Sequence, residues 1–433
     1  MASRINRLLF LRVIVLTLSF VILMEIDSTP NRAIGEVAAK SRKRGDAVKK
    51  AEEGGSEKAE TEGHPGKARL TEIRYTSSQN YTRVTMELSA EARYESHVLK
   101  EDAAKGLPPR IYVDLIGVRL AMNARRPILV QDGLLRQVRA GQFGPDVVRV
   151  VLDMSSLTGH KTFLLPDPYR LIVDIQGQSN GTQLASVEKT TEALLPVERN
   201  PMPANGIRKI VIDPGHGGKD PGATGIRGVV EKEIVLRVAK KLADRLKKEL
   251  GIEVILTRHD DTFIPLEDRT AIANAQGADL FISLHTNASP NPEAKGLETY
   301  YLDNTNDEGS IRLAARENAT SRKSISDLQF ILSDLTQNLK LEDSISLAHR
   351  LQSSIVSEMG PKYGEVRDLG VKKALFYVLV GARMPSVLVE MFFITNRAEG
   401  SALARRSYQN SLVDALFEGI KKYQESSLIV KNL

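Results

Sequence analysis

The hydrophobic period of this chain changes once, and that change limits its fold more than any other feature. From Ala68 to about Gln178, apolar residues recur at every second position in short runs: Leu70–Tyr75, Arg83–Leu88, Arg110–Leu115, Val147–Leu152 and Arg170–Ile175. Such alternation sets one side of an extended chain against a core and the other toward water, so these runs read as β-strands. Asn80, Gly117, Gly144-Pro145 and Pro166-Asp-Pro168 separate them as turns. From Ile207 onward, strand and helix patterns alternate. Lys209–Ile212 is an expected strand. Glu231–Leu250 is an expected helix, with Ile234, Val235, Val238, Leu242 and Leu246 on one face and Gly251 as its stop. Glu253–Leu256 reads as a strand and Leu266–Gln276 as a helix. Leu280–Leu284, Leu297–Leu302, Ala374–Val380 and Val387–Met391 read as strands, and Ser401–Gln424 as a closing helix. The expected fold is an all-β sandwich-like module followed by an α/β domain, a mostly parallel sheet flanked by helices.

A length of 433 residues suits two or three domains. Arg4 and Arg7 precede the apolar stretch Leu8–Met24, which only Arg12 interrupts with a charge. A cationic flank before an apolar run is the signature of an export signal, so residues 1–27 are expected to be a cleaved signal peptide or an uncleaved anchor. Residues 28–67, rich in Lys, Glu, Ala and Gly, bury too little apolar surface to offset ordering and read as a charged linker. The β module then spans 68–178, a second linker 179–206, and the α/β domain 207–425. The formal charge of +6 is too small and too evenly spread to suggest nucleic-acid binding. There is no Cys, which excludes disulfides, thiolate catalysis and Cys-ligated metals. Any metal site must draw on the seven His and on carboxylates.

Polar residues cluster where the apolar strands end. Ile212-Asp-Pro-Gly-His216-Gly-Gly218 follows the first strand, Glu231 opens the first helix, Phe281-Ile-Ser-Leu-His285-Thr-Asn287 ends another strand, and Val387-Leu-Val-Glu390 a third. Ligand sites in open α/β sheets lie beyond the carboxyl ends of the strands. Two imidazoles and a carboxylate make a Zn²⁺ site with one position open for water, and a further carboxylate within reach takes that water's proton. Glu390 is the candidate for that last role, since an ionisable group at the end of a Val-Leu-Val strand needs a reason to be there. Asp213 is a candidate partner for a ligand imidazole. The same Gly-rich segment also fits a plain turn or a phosphate cradle at a helix N-terminus, although no Lys-Ser/Thr pair follows in Walker spacing. His64, His97, His160, His259 and His349 receive no role.

Several segments, in order, resemble the zinc-dependent N-acetylmuramoyl-L-alanine amidases of the amidase_3 type. They are Val211-Ile-Asp-Pro-Gly-His-Gly-Gly-Lys-Asp-Pro-Gly-Ala223, Val230-Glu-Lys-Glu-Ile-Val235, Ala278-Asp-Leu-Phe-Ile-Ser-Leu-His-Thr-Asn-Ala288, Gly296-Leu-Glu-Thr-Tyr-Tyr301 and Pro385-Ser-Val-Leu-Val-Glu-Met-Phe-Phe-Ile-Thr-Asn396. The resemblance implies one Zn²⁺ held by His216, Glu231 and His285, with Glu390 as the catalytic carboxylate. It implies cleavage of the amide between N-acetylmuramic acid and L-alanine in peptidoglycan. Asn287, Glu298 and Arg383 are further candidates for contact with the substrate or the ligands, and Lys372 or Arg383 for steering an acidic stem peptide. The β module resembles the AMIN domain through Val138-Arg-Ala-Gly-Gln-Phe-Gly-Pro-Asp-Val-Val-Arg-Val-Val-Leu-Asp153 and Tyr169–Ile175, which implies wall targeting.

Residues of about 303–368 exceed what a connection in an α/β unit needs. Ile311–Ala319 and Asp327–Met359 carry helical patterns. The segment resembles the insertion of division amidases in which a helix blocks the zinc cleft until a LytM-like activator binds. Glu317, in Ala314-Ala-Arg-Glu-Asn-Ala319, is the candidate autoinhibitory fourth ligand. The expected protein is periplasmic and acts in cell-wall remodelling and daughter-cell separation, with inner-membrane contact only if the N-terminal segment stays uncleaved. The rival readings are another envelope zinc hydrolase, an endopeptidase or deacetylase, and a non-catalytic peptidoglycan-binding protein.

Overall fold

A computed structural model of the chain describes residues 68–78, 80–121, 127–177, 206–320, 340–364 and 366–431. The expected signal or anchor, the charged linker with His64, all but the last residue of the second linker, and the 327–339 part of the insertion pattern lie outside them. No helix among the described residues is long and apolar enough to cross a membrane.

The β module is a sandwich. One sheet has the order β5-β1-β2-β10-β9, built from β1 (Ala68–Ser77), β2 (Tyr81–Leu88), β5 (Val118–Leu120), β9 (Gly159–Leu165) and β10 (Tyr169–Gln176). The other has the order β3-β4-β8-β7-β6, built from β3 (Arg93–Leu99), β4 (Arg110–Ile116), β6 (Ile128–Leu129), β7 (Leu135–Gly144) and β8 (Val147–Met154). Alternate residues of both sheets, among them Val84, Met86, Ile111, Val113, Val148, Val150, Leu171 and Val173, meet in one core. All five expected strands lie inside observed ones. β3, β5, β6, β7 and β9 add to them; β3 has exposed and half-buried residues without any fully buried one, so it carries no clean apolar period.

The second domain is a six-stranded mixed sheet of order β12-β11-β13-β16-β14-β15. β11 (Lys209–Pro214), β12 (Glu253–Leu256), β13 (Leu280–Asn287) and β16 (Ser386–Phe393) are mutually parallel. β14 (Leu297–Leu302) runs antiparallel to β16, and β15 (Asp368–Ala374) parallel to β14. Among the described residues six helices accompany them: α1 (Glu231–Leu250), α2 (Leu266–Ala275), α3 (Glu308–Glu317), α4 (Leu341–Tyr363), α5 (Arg397–Leu403) and α6 (Arg406–Lys431). Two expectations need correction. Ala374–Val380 is not a strand: β15 ends at Ala374, and Tyr377–Leu379 forms a single 3₁₀ turn. The apolar run there is buried between the sheet and the neighbouring β module rather than as a strand of the sheet. The closing helix is two helices, α5 and α6, that meet around Ala404 and Arg405.

Strand alternation sorts the sheet's side chains into two sides. Ile210, Ile212, Leu280, Ile282, Leu284, Val387 and Val389 pack against α1, α4 and α6. Val211, Phe281, Leu388, Tyr300 and Leu302 pack on the opposite side with Leu313, Ala314 and Ala315 of α3 and the Leu375–Val380 segment. Asp213, Ser283, His285, Glu390 and Glu298 sit at positions of this second side. The polar ends of the strands therefore converge beneath α3.

Candidate metal centre and active site

His216 sits in a turn directly after β11 and takes a positive φ of 61°. Two glycines make room for it. A Cβ at Gly215 would come 2.4 Å from the His285 ring, and one at Gly222 would come 2.5 Å from the His216 ring. The two imidazoles meet edge to face, with centroids 4.8 Å apart. Glu231, the first residue of α1, is 1% exposed, and both its oxygens accept backbone N–H groups, from Ala223 and Thr286. Its Oε1 lies 3.2 Å from His216 Nε2 and 3.3 Å from His285 Nδ1. Glu233, two residues on, is exposed and faces Arg237. The helix start thus places one carboxylate in the site and the other in water.

His216 Nε2 and His285 Nδ1 are buried and have no hydrogen-bond partner. One ligand atom from each of His216, Glu231 and His285 lies within 4.8 Å of the others. Buried polar atoms without partners cost about 1–3 kcal/mol each, so a folded chain keeps them where a ligand satisfies them. The donor set, two imidazoles and one carboxylate, fits a divalent metal with an open position.

The backbone around His216 is clamped from below. Arg269 on α2 donates to Asp213 Oδ1 at 2.9 Å, to the Pro214 carbonyl at 3.1 Å and to the His216 carbonyl at 2.8 Å. Arg258 donates to the carbonyls of Pro214 and Gly215. Asp213 is fully buried and also accepts from Thr257 and Ser283. Burial pushes its carboxyl up, but Arg269 and these hydroxyls hold it below its ordinary value. Asp213 therefore does not touch a ligand imidazole, contrary to expectation; it anchors the arginine that holds the loop. The imidazole partner is Asp220, whose Oδ2 lies 2.8 Å from His216 Nδ1. Its spacing of four residues from His216 within the same Gly-rich turn was the signal in the sequence.

Glu390 faces His285 directly across the β13–β16 ladder and is fully buried. Neither of its oxygens has a hydrogen-bond partner. Burial, with the negative charge of Glu317 adding to it, pushes its carboxyl up to about 8. Glu317 ends α3 and points into the same space. Its Oε2 is 3.4 Å from His216 Nε2 and 3.2 Å from His285 Nδ1 and has no hydrogen-bond partner, while its Oε1 accepts from Arg316 at 2.7 Å.

The family profile for N-acetylmuramoyl-L-alanine amidases matches residues 210–422, and that for AMIN domains residues 72–163. An N-acetylmuramoyl-L-alanine amidase AmiC of Neisseria meningitidis is 31% identical over 83% of this chain and 91% of its own length. The chain belongs to the N-acetylmuramoyl-L-alanine amidase family. An AmiC of Escherichia coli is 29% identical over 82% of the chain and 89% of its own length. An AmiA of the same species is 37% identical over 51% of the chain and 77% of its own length. The amidase described here is thus a peptidoglycan hydrolase with an AMIN domain, and its His-Glu-His cluster suits a metal cofactor.

The remaining candidates of this amidase are scattered. Glu298 opposes Glu390 across the β14–β16 ladder, accepts from Tyr300 Oη and lies 3.3 Å from Lys372 Nζ, so both it and Lys372 border the cleft. Asn287 holds the N–H of Ala288 and lies 3.5 Å from Arg316. Arg383 is not in the cleft. Its guanidinium lies over the Tyr81 ring of the AMIN domain, 5.9 Å from the centroid, and its backbone N–H donates to Asn274.

Proposed function

We propose that His216, Glu231 and His285 hold one Zn²⁺, that Glu390 is the catalytic carboxylate, and that Glu317 occupies the metal's open position in a resting enzyme. The observation that carries this reading is the convergence of His216 Nε2, His285 Nδ1, Glu317 Oε2 and both Glu390 oxygens, all buried and all without partners. Zn²⁺ bound there supplies Lewis acidity that polarises an amide carbonyl and makes water acidic near neutral pH.

The protein's own groups do the rest. Backbone amides fix the Glu231 carboxylate, Asp220 fixes the His216 ring, and the Arg269 clamp fixes the loop between them. Glu390 takes a proton from water and returns it to the L-alanine nitrogen as that amine leaves. A carboxyl held near neutrality suits both halves of the transfer. Withdrawal of Glu317 removes one of the influences that raise Glu390, so a larger share of the group is ionised and able to accept a proton as the cleft opens. Glu298 and Lys372, beyond Glu390, are placed to meet the peptide side of the substrate.

In the resting state α3 covers the cleft and Arg316 lies beside the two carboxyl groups there, 2.7 Å from Glu317 and 3.9 Å from Glu390. A LytM-like activator acting on the 303–368 insertion is the expected means of lifting it. We place the enzyme in the periplasm, exported through residues 1–27, with a role in daughter-cell separation.

The test is digestion of purified sacculi by the zinc-loaded full chain. Glu317→Ala should release more wall material than the parent and leave intact glycan with a free L-alanine amine. Glu390→Ala in that background should abolish release. A zinc-loaded Glu317→Ala protein that dissolves no wall material, or that cleaves another bond, overturns the reading.

A further inference from the structure

The AMIN domain is docked on the catalytic domain through one face of its β5-β1-β2-β10-β9 sheet. Arg83 on β2, 1% exposed, bonds Asp174 with Nε and Nη2 and reaches across to α2, where Nη1 donates to the Glu267 carbonyl at 2.7 Å and to Thr270 Oγ1 at 3.0 Å. Arg74 and Arg170 both pair with Glu267, which is 1% exposed, and Arg74 also pairs with Asp268. Phe163, Leu165 and Ile172 share one apolar cluster with Leu313, Ala314 and Ala315 of α3 and with Tyr377–Val380.

This contact leads to the inhibitory helix. Asn318 caps the C-terminal end of α3. Its amide donates to the Leu375 carbonyl and accepts the Tyr377 N–H, both at 2.8 Å. Tyr377, fully buried, donates its hydroxyl to the Pro166 carbonyl of the AMIN domain at 2.8 Å. Thr320 donates to Asp167 Oδ2 at 3.0 Å. Ala319 between these two anchors adopts a φ of 51°, a left-handed conformation that costs a residue with a Cβ roughly 1 kcal/mol or more. Such a conformation persists where surroundings over-determine it. A helix of ten residues is marginal alone, so the position of α3 is set by its contacts.

We propose that the AMIN domain is the latch of the inhibitory helix: docked on α2 and on the Leu375–Val380 segment, it holds the C-terminal end of α3, and with it Glu317, over the metal site. Undocking it frees α3 and raises hydrolysis. The proposal rests on the reading of Glu317 as the occupant of the open position. It adds that the wall-targeting domain and the block are one mechanical unit, so an event that pulls the AMIN domain off its seat is itself activating.

The test uses the full chain with Arg74→Glu, which sets a like charge against Glu267 and Asp268, and with Tyr377→Phe, which removes one hydrogen bond and keeps the ring. Each is made alone and with Glu317→Ala. In metal-free protein, amide hydrogen exchange over residues 314–320 should quicken about tenfold in Arg74→Glu, the size expected for losing one or two charge-assisted contacts, and less in Tyr377→Phe. With zinc, Arg74→Glu should raise release from sacculi toward the level of Glu317→Ala and add nothing in the Glu317→Ala background. Unchanged exchange at 314–320 in both variants overturns the latch, whatever the activity does. So does activation by Arg74→Glu that persists without Glu317. If Glu317→Ala itself releases no more wall than the parent, the reading of Glu317 fails, and the exchange measurement still decides whether the AMIN domain holds α3.

Discussion

Two buried polar clusters share the helix α2, and they are finished differently. At the domain seam all three guanidinium nitrogens of Arg83 have partners: Asp174 on two, Glu267 and Thr270 on the third. At the metal centre, His216 Nε2, His285 Nδ1 and both oxygens of Glu390 have none, although they are as deeply buried. Matched buried charge fixes geometry, and unmatched buried polarity is tolerated where a ligand or a reaction completes it. The two clusters should therefore respond to mutation in opposite ways: the seam in stability, the centre in chemistry.

The largest effect is expected at Glu390. Removing a general acid–base costs about a hundred- to ten-thousand-fold in rate. Glu390→Ala, assayed on sacculi in the Glu317→Ala background, should lose that much while its urea midpoint stays at or above the parent's, because no hydrogen-bond partner is left behind and Arg316, 3.9 Å away, is partly in solvent. A drop in stability as large as the drop in rate would erase the contrast.

Arg83→Ala comes next and should do the reverse. It strands Asp174, and breaking one side of a buried pair costs about 3–5 kcal/mol. Urea denaturation of the full chain measures this. A loss below about 1 kcal/mol would mean that the seam is held by Phe163, Leu165 and Ile172 and by the Arg74 and Arg170 pairs with Glu267 rather than by Arg83.

The sequence revealed these clusters unequally. His216, Glu231, His285 and Glu390 stood out because each follows or ends an apolar strand or opens a helix, although the Gly-rich turn around His216 by itself also fitted a plain turn or a phosphate cradle. Arg83 and Asp174 did not, because a polar residue at every second strand position is what a solvated sheet face also shows. Arg83, Thr85 and Asp174 lie on the face of β2 and β10 that meets the catalytic domain, and there they are buried. The same contact explains the misread Ala374–Val380 run, whose apolar residues pack against another domain rather than within the sheet. A pattern of burial cannot name its partner when that partner lies two hundred residues away in sequence. Glu317 became a candidate only through family resemblance, since an acidic residue at a helix end is ordinary.

Asp220 tests the border between the clusters, because it bonds the ring of His216, a proposed metal ligand, at 2.8 Å. Partners of this kind typically contribute 10–100-fold to metal affinity. Asp220→Ala should weaken zinc binding by about that factor in a chelator competition, with little change in the urea midpoint of the metal-free protein. Unchanged affinity would show that the Arg269 clamp alone orients His216.

The smallest expected effect separates hydrogen-bond satisfaction from charge matching. Glu399 has both oxygens occupied, by the N–H groups of Gly296 and Phe393, but among the described residues no cation pairs with it directly. Burial pushes its carboxyl up to about 7, against an ordinary 4.5. The folded state thus holds this proton more tightly than the unfolded chain does. The resulting stability is fully present below about 4.5 and is lost as pH rises through about 7. Since the group is partly solvated, the change amounts to about 1 kcal/mol. Glu399→Gln cannot titrate, so its stability measured against the parent's should improve across that window, even if losing one carboxylate acceptor lowers it at every pH. A constant offset between the two would show that two backbone N–H groups match a buried carboxylate as fully as Asp174 is matched by Arg83.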